Sequence, residues 1–425
     1  MRGRYASFES PKEKQHEKDR VGRTDSAFAH GHCGFCPARL LPLPGLWVRH
    51  DDGTRNDDGS RNDGRLWHGP RDDGWLWIWR SIRPDEGAGP ELRESISSWY
   101  LHRHGVSLDF EREAIVTTGS KEGISHLALA LVRAGDTVIV PDPAYPVHAQ
   151  GFEIAGANIR RVPLQTPAQF LFDLEEEIVK GPDRPIRALV LNFPCNPSGC
   201  CVELSFFEKI VELAVKHSFW VIHDFAYADL VFDEYRAPSI LQVQGAKEVA
   251  VEFFTMSKSY NMAGWRVGFM CGNAKLVAAL KHVKPYFDYG MYRPIQYAAS
   301  VALKYGGHYV AQVRDTYQRR RDVLVAGLRS CGWDVSPPQG GMFVWARIPS
   351  LFRHLRSLDY CQLLLNESGV VVFPGIGFGP LGDEFVRFSL IQNEVVIGRA
   401  VDSIRTILCD DECSTDVDGL IYGTL

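Results

Sequence analysis

The sequence predicts an α/β fold in which a mostly parallel sheet is flanked by helices, with a smaller α+β domain after it. From about residue 92 onward, short apolar stretches alternate with helical stretches of about 10–15 residues, a pattern typical of a parallel sheet. Trp220, Val221 and Ile222 form an uninterrupted apolar run, which suits a strand buried on both faces. Both observations favour a doubly covered sheet.

The elements of the first domain follow in chain order. Apolar residues at helical spacing predict helices, and short apolar runs ended by Gly, Pro or Asn predict strands. A β-rich stretch runs from Glu113 and is broken at Gly119, before a helix begins. The predicted helices are 92–102, 124–132 and 205–216, and the predicted strands are 136–140, 188–192, 219–223 and 251–255.

A long helix over 307–331 is expected to lead into the second, smaller domain. Its predicted elements are strands over 342–348, 370–373 and 385–390, and a last helix over 393–408. The basic run 319–321 favours a solvated face of the long helix. The polar residues 409–425 are expected to form a loose tail. We therefore expect an atypical segment over 1–86, a large domain over 87–306, a small domain over 307–408 and the tail.

Charge and composition exclude several classes of protein. The chain has 425 residues and a formal net charge of −5, which argues against a dedicated nucleic-acid or polybasic membrane protein. Ten cysteines are too few for a disulfide scaffold of this length. No stretch approaches the ~18 consecutive apolar residues of a membrane helix. We expect a soluble, cytoplasmic protein that binds neither nucleic acid nor membrane.

The first 86 residues differ in composition from the rest. Residues 51–64 repeat a six-residue Asp-Asp-Gly pattern, and five of the ten tryptophans lie before residue 86. We interpret this segment as the product of a shifted reading frame or a mispredicted start, which resequencing would test. Cys33 and Cys36 form a lone C-x2-C, and the repeat lacks the Glu that closes a calcium loop, so no metal site is predicted.

Polar residues cluster where the predicted strands end, which in open α/β sheets is where ligands bind. The turn at Gly119-Ser120-Lys121 precedes a helix and suits a phosphate, although most such turns are only turns. Asp224 ends one strand, and a salt-bridged loop acid is an equal alternative. Lys258 follows the apolar residues Phe253 and Phe254. A buried Lys has a lowered pKa and forms Schiff bases with carbonyl groups.

Six motifs in order and at matching spacing make residues 87–408 resemble the class I/II aminotransferases of fold type I, which depend on pyridoxal 5'-phosphate. The nearest resemblance is to the bacterial alanine (glutamate–pyruvate) transaminases, then to the LL-diaminopimelate aminotransferases. The motifs are GSKEG (119–123), DPAYP (142–146), NPSG (196–199), HDFAYADL (223–230), SKSYNMAGWRVGF (257–269) and VRFSL (386–390).

The resemblance implies a role for each matching residue. Lys258 would bond to the cofactor and carry the proton during the reaction, Asp224 would pair with the pyridine nitrogen, and Tyr145 would stack on the ring. Tyr227 and Asn196 would hydrogen-bond the ring hydroxyl oxygen. The phosphate would be held by Gly119, Ser120, Lys121, Ser257 and Arg266. Arg387, with Asn196, would bind the substrate carboxylate; bidentate binding explains Arg rather than Lys.

These roles lead us to expect a homodimeric transaminase that moves an amino group between an L-amino acid, alanine in the first place, and a 2-oxo acid by ping-pong kinetics. Two alternatives stay open. In the first, the enzyme is an LL-diaminopimelate or aspartate aminotransferase. In the second, the protein binds the cofactor but is catalytically impaired. The second alternative follows from residues 1–86, where the family's pocket-lining arm and its interface tyrosine are not recognisable.

Overall fold

The computed structural model describes residues 89–181 and 185–414, with side chains up to residue 408. The repeat at 51–64, the pair Cys33 and Cys36, and the proposed frame change before residue 87 lie outside the described residues. Within the described ranges, no helix combines the length and the apolar character that crossing a bilayer requires.

A seven-stranded sheet forms the centre of the first domain, in the spatial order β1-β7-β6-β5-β4-β2-β3. Only β7 runs antiparallel to its neighbours β1 and β6; the other pairs are parallel. The predicted mostly parallel sheet is therefore confirmed. The strands are β1 Ala114–Thr117, β2 Thr137–Asp142, β3 Asn158–Pro163, β4 Ile186–Leu191, β5 Trp220–Asp224, β6 Ala250–Thr255 and β7 Gly268–Gly272.

Both faces of this sheet are covered, as the apolar strands predict. Alternate residues of a strand point to opposite faces. In β4, Leu189 and Leu191 join one buried hydrophobic cluster, whereas Ala188 and Val190 join another. All four side chains are fully buried. The helices α1 to α9 that supply these clusters are Pro90–His104, Ser120–Leu131, Val147–Ile154, Pro167–Lys180, Leu204–His217, Ala246–Val249, Met256–Ser259, Ala274–Val283 and Arg293–Tyr305.

Local sequence explains where several helices begin and end. Thr166 accepts a hydrogen bond from the backbone N–H of Gln169 and caps α4. Asn273 caps α8 by accepting from the backbone N–H groups of Lys275 and Leu276. Helix α1 ends at Gly105, whose φ of +68° suits glycine far better than other residues.

A second, three-stranded antiparallel sheet has the order β8-β10-β9 and packs with three long helices. Arg387 in β10 pairs in register with Trp345 in β8. This sheet matches the expected smaller unit, while the domain boundaries themselves stay predictions. The elements are α10 Gly307–Ser330, β8 Phe343–Arg347, α11 Ser357–Ser368, β9 Phe373–Pro374, β10 Phe385–Ser389 and α12 Glu394–Ser414.

Three details differ from the sequence predictions. The strand expected over 370–373 shrinks to Phe373–Pro374, because only these two residues pair with β10. The last helix continues to Ser414, so 409–414 is not a loose tail; no Pro or Gly interrupts the chain there. The basic run 319–321 is not a fully solvated helix face, because Arg321 is buried and ion-paired with Asp233.

Candidate active site

The carboxyl ends of five strands carry the site, because β1, β2, β4, β5 and β6 point the same way. These ends enclose a cavity of about 390 Å³. Every predicted site residue except Gly119 lines it. The lining residues are Ser120, Lys121, Tyr145, Asn192, Asn196, Asp224, Ala226, Tyr227, Thr255, Ser257, Lys258, Ala263, Arg266, Phe343 and Arg387.

Gly119 lies just behind the cavity, as the N-cap of α2 with a φ of +85°. A Cβ atom at this position would collide with the guanidinium group of Arg266. Arg266 donates to the Thr118 carbonyl at 3.3 Å and to the Ser257 hydroxyl at 3.4 Å. The free N–H groups of the first turn of α2, Ser257 and Arg266 thus converge, an arrangement that suits a phosphate.

Lys258 lies in the short helix α7, directly after the buried strand β6. Burial lowers the pKa of its amine, and the positive charges of Arg387 and Arg266 lower it further, against the opposing effect of Asp224. A larger share of this amine is therefore neutral than in an exposed lysine. A neutral amine is the form that attacks a carbonyl carbon or accepts a proton.

Asp224 is buried at the end of β5, and its two carboxylate oxygens differ in their surroundings. Oδ2 lies 2.9 Å from Nε2 of His148, which is itself fully buried. Oδ1 is buried and has no hydrogen-bond partner among the described residues. The Asp224 backbone carbonyl accepts from Asn192 at 2.6 Å. The aspartate is thus held in place while one oxygen stays free for a ligand.

His148 and Asn192 are contacts that the sequence analysis missed. The signal for His148 was present: it lies three residues after Tyr145, one helical turn on, in the unpredicted helix α3. Its ring packs edge-on against Tyr145, with ring centroids 5.7 Å apart. Asn192 ends the predicted strand 188–192, and the parallel pairing of β4 with β5, in which Leu191 lies opposite His223, brings it beside Asp224.

Tyr227 and Asn196 lie side by side in the cavity wall. The Asn196 amide donates to the Tyr227 hydroxyl at 3.5 Å. Burial raises the pKa of Tyr227 well above its ordinary value, so the phenol is protonated and is able to donate a hydrogen bond. Both residues are buried, as a role in holding a ring substituent requires.

Arg387 reaches the cavity from β10 of the second sheet. Its Nη1 donates to Oδ1 of Asn196 at 2.8 Å. Its guanidinium carbon lies 3.9 Å from the ring centre of Phe343 and 4.7 Å from that of Phe378. Burial lowers the pKa of Arg387, but an arginine stays charged. No carboxylate of the described residues pairs with it, which leaves this cation available for an anionic substrate.

The residues present fit pyridoxal 5'-phosphate. The free, buried Oδ1 of Asp224 offers an acceptor for a pyridinium N–H. The cradle formed by Arg266, Ser257 and the start of α2 suits the phosphate, and Lys258 provides the amine. Gly268 allows β7 to approach the cradle, since a Cβ there would lie 2.8 Å from the Ser120 nitrogen. Each part of the cofactor therefore meets suitable chemistry.

The sequence is similar to those of known proteins over most of its length. The profile of the family described as "Aminotransferase class I and II" matches residues 84–404. Glutamate-pyruvate aminotransferase AlaC of Escherichia coli K12 is 52% identical over 322 residues, 76% of this chain and 78% of that protein. An LL-diaminopimelate aminotransferase of Moorella thermoacetica is 39% identical over 317 residues, 75% of this chain and 80% of that protein.

A solved structure agrees with the fold. The probable N-succinyldiaminopimelate aminotransferase of Thermus thermophilus superposes with a TM-score of 0.69 at 33% identity, covering 77% of this chain and 84% of that one. The sequence match covers most of the described residues, and the cavity offers the groups that the cofactor needs. The chain belongs to the class I and II aminotransferases, which depend on pyridoxal 5'-phosphate.

Proposed function

We propose that this aminotransferase exchanges an amino group between L-alanine and 2-oxoglutarate. The observation that carries the proposal is the charge of the cavity wall. The described lining contains four cations, of which Arg266 belongs to the phosphate cradle, Lys121 lies in the first turn of α2, and Lys258 is the reacting amine. Arg387 is the one left for a substrate carboxylate. A small amino acid with a single carboxylate, such as alanine, fits this arrangement as the donor. The choice of 2-oxoglutarate as acceptor rests instead on the similarity to the glutamate-pyruvate aminotransferase of Escherichia coli.

When bound, pyridoxal 5'-phosphate supplies an aldehyde that bonds to amines and a ring that accepts the electron pair released at the substrate Cα. Arg387 holds the α-carboxylate and so orients the Cα–H bond. Nζ of Lys258, whose lowered pKa favours the neutral amine, would take the proton from the substrate Cα. Oδ1 of Asp224 would accept a hydrogen bond from a protonated ring nitrogen, while His148 holds Oδ2. The same residues then run the reverse reaction with a second oxo acid.

A donor and acceptor panel on the purified enzyme tests the substrate assignment. With 2-oxoglutarate as the acceptor, we expect alanine, which gives pyruvate, to have a higher kcat/KM than aspartate or LL-diaminopimelate. A second measurement tests the site itself. Reduction with borohydride should label Lys258 in a peptide map, and a label on any other lysine would contradict the assignment.

LL-diaminopimelate is a second candidate donor, because the relative from Moorella thermoacetica bears that name at 39% identity. This substrate carries an additional ammonium and carboxylate at its far end. Apart from Asp224, the described lining of the cavity holds no carboxylate for that ammonium. A kcat/KM for LL-diaminopimelate above that for alanine would replace our first assignment.

A catalytically impaired relative is the third possibility, since residues 1–86 do not resemble the family's pocket-lining arm. A larger cleft of about 1,020 Å³ adjoins the site and shares Ser257, Lys258 and Ala263 with it. Full cofactor occupancy with no turnover for any donor in the panel would favour this alternative. Turnover with alanine would exclude it.

We propose a cytoplasmic homodimer as the working form. Exposed tyrosines are concentrated in one stretch of the chain, where Tyr286, Tyr289, Tyr292 and Tyr305 are each more than 70% accessible. Aromatic residues are enriched in protein interfaces, and such exposure is costly for a monomer. Sedimentation equilibrium should give twice the mass of the 425-residue chain. A monomer at micromolar concentration would contradict this proposal.

A further inference from the structure

A second polar network, centred on Glu252, lies in the core of the first domain. Glu252, in the middle of β6, is fully buried. Its Oε1 accepts from the hydroxyls of Tyr100 at 2.9 Å and Ser239 at 2.7 Å. Its Oε2 accepts from the Ile240 N–H at 3.0 Å and lies 2.8 Å from Nδ1 of His223. Four partners match the four lone-pair positions of an ionised carboxylate.

Glu252 therefore carries a charge inside the core. Burial alone would raise its pKa, but the hydrogen bond and charge of His223 hold it below the ordinary value. Buried ion pairs are weak contributors to stability, and apolar residues often replace them at no cost. Stability alone thus gives little reason for a glutamate at this position.

The other side of His223 contacts the loop after β4. Its Nε2 lies 3.1 Å from the Phe193 carbonyl oxygen and 3.3 Å from the Phe193 nitrogen. The neighbouring Asn192 accepts from the backbone N–H of Asn196 at 2.8 Å, and donates to the Asp224 carbonyl. Residues 192–196 are thus tied to β5 both through the His223 ring and through Asn192.

This loop carries Asn196, whose Oδ1 accepts from Arg387 at 2.8 Å. A continuous series of hydrogen bonds and covalent links therefore joins Glu252, through His223 and the loop, to Arg387. We propose that Glu252 and His223 are positioning residues that set the place of Asn196 and, through it, the orientation of the Arg387 guanidinium toward the substrate carboxylate. This inference deepens the proposed function, because it rests on Arg387 as the carboxylate-binding residue.

The test measures carboxylate binding rather than turnover. Propionate is alanine without its amino group, so it is able to bind Arg387 but is unable to react. Its dissociation constant is measured on the cofactor-loaded enzyme from the absorbance of the bound cofactor. Glu252→Gln keeps the shape and removes the charge, so its hydrogen bond with His223 is no longer charge-assisted. We expect propionate to bind about tenfold more weakly, the size of one lost hydrogen bond to a charged group.

Tyr100→Phe is the matched control, because it removes one hydrogen bond to Oε1 of Glu252 and leaves His223 and the loop untouched. Urea unfolding gives the stability of each variant. The positioning role predicts unchanged propionate affinity in Tyr100→Phe, even where both variants lose stability. Unchanged propionate affinity in Glu252→Gln, or affinity that falls in step with stability in both, would overturn the proposal.

A second variant keeps the test decisive if Glu252→Gln does not fold. Glu252→Gln with His223→Phe retains an acceptor for Tyr100 and Ser239, and a ring in the aromatic contacts with Phe207 and Phe225. It should bind propionate about tenfold more weakly than the parent enzyme, and an affinity equal to the parent's would overturn the proposal. Arg387→Lys tests the proposed function separately. If that change leaves propionate affinity intact, the carboxylate-binding role of Arg387 fails, and the positioning proposal falls with it for that distinct reason.

Discussion

Arg387 donates a hydrogen bond from Nη1 to Oδ1 of Asn196 across 2.8 Å, and so joins the second sheet to the loop after β4 of the first. The two residues are 191 positions apart in the chain. Phe343 lies 3.9 Å from the guanidinium carbon and stacks beside it. One nitrogen is thus committed to Asn196, and the buried Nε has no partner among the described residues. The remaining donors are placed for a carboxylate.

Replacing Arg387 by Lys tests this geometry. A lysine keeps the charge but loses the planar pair of donors and the stacking on Phe343. We expect KM for every amino acid and oxo acid to rise by about 10- to 100-fold, since a charge-assisted bidentate contact is worth roughly 1.5–3 kcal/mol. Steady-state kinetics measures the change in KM. The exposed Arg353→Lys is the control and should behave as the parent enzyme.

Asp224→Asn tests the role of the buried carboxylate. The amide keeps the size of the side chain, but it no longer stabilises a positive charge on the ring nitrogen through the free Oδ1. We expect kcat to fall by about 10²- to 10³-fold, the usual cost of losing one electrostatic contact in a dry site. Single-turnover kinetics on cofactor-loaded enzyme measures it. The exposed Asp315→Asn is the control, and an equal loss in both variants would contradict the role.

Gly268→Ala tests the close approach of β7 to the phosphate cradle. The added Cβ would lie 2.8 Å from the Gly119 carbonyl carbon and the Ser120 nitrogen, so one of the two backbones must move. We expect a loss of about 1–3 kcal/mol in unfolding free energy, and cofactor affinity lower by about tenfold or more.

Gly398→Ala is the control for that change, because a Cβ at this helical position meets no atom within 4 Å. Helix propensity predicts that it stabilises the protein by up to about 1 kcal/mol. Cofactor titration followed by absorbance and urea unfolding measure both effects. A Gly268→Ala enzyme with normal cofactor affinity would show that the cradle tolerates the displacement.

Much of the site was predictable because its residues lie in short motifs at strand ends. Asp224 is the last residue of the strand β5, and Lys258 follows the apolar strand β6. The parallel sheet brings the carboxyl ends of these strands to the same edge. His148 was not predicted, because the sequence did not indicate helix α3. The contact of His148 with Asp224, 76 positions away, also depends on tertiary packing. Glu252 did carry a signal, an acid between Val251 and Phe253, but its four partners come from distant parts of the chain.

The sheet was predicted more completely than its edges for a physical reason. Central strands are apolar on both faces and stand out in the sequence, as β5 does. Strand β3, at the edge of the sheet, exposes Arg160 and Asn158 and so resembles a loop. Strand β7 contains Gly268 and Gly272, which usually mark turns. Only pairing with β1 and β6 makes β7 a strand.

The lowered pKa of Lys258 predicts a pH-dependent cost in the cofactor-free protein. Burial disfavours the charged amine in the folded chain, whereas the unfolded chain titrates near the ordinary value of 10.5. The unfolded state thus binds more protons between the two pKa values, so stability rises with pH across that window. Below the pKa that Lys258 has in the folded protein, the loss of unfolding free energy is complete. Above the pKa that it has in the unfolded chain, the loss disappears.

Lys258→Met keeps the length of the side chain and removes the charge. We expect the cofactor-free variant to be more stable than the cofactor-free parent at about pH 7, and its advantage to shrink as the pH rises toward 10.5. Urea unfolding of both proteins at several pH values measures this difference. The exposed Lys275→Met is the control for exchanging a lysine for a methionine as such. If the advantage of Lys258→Met grew with pH instead, the amine would be stabilised in its charged form, and its role as a neutral base would be wrong.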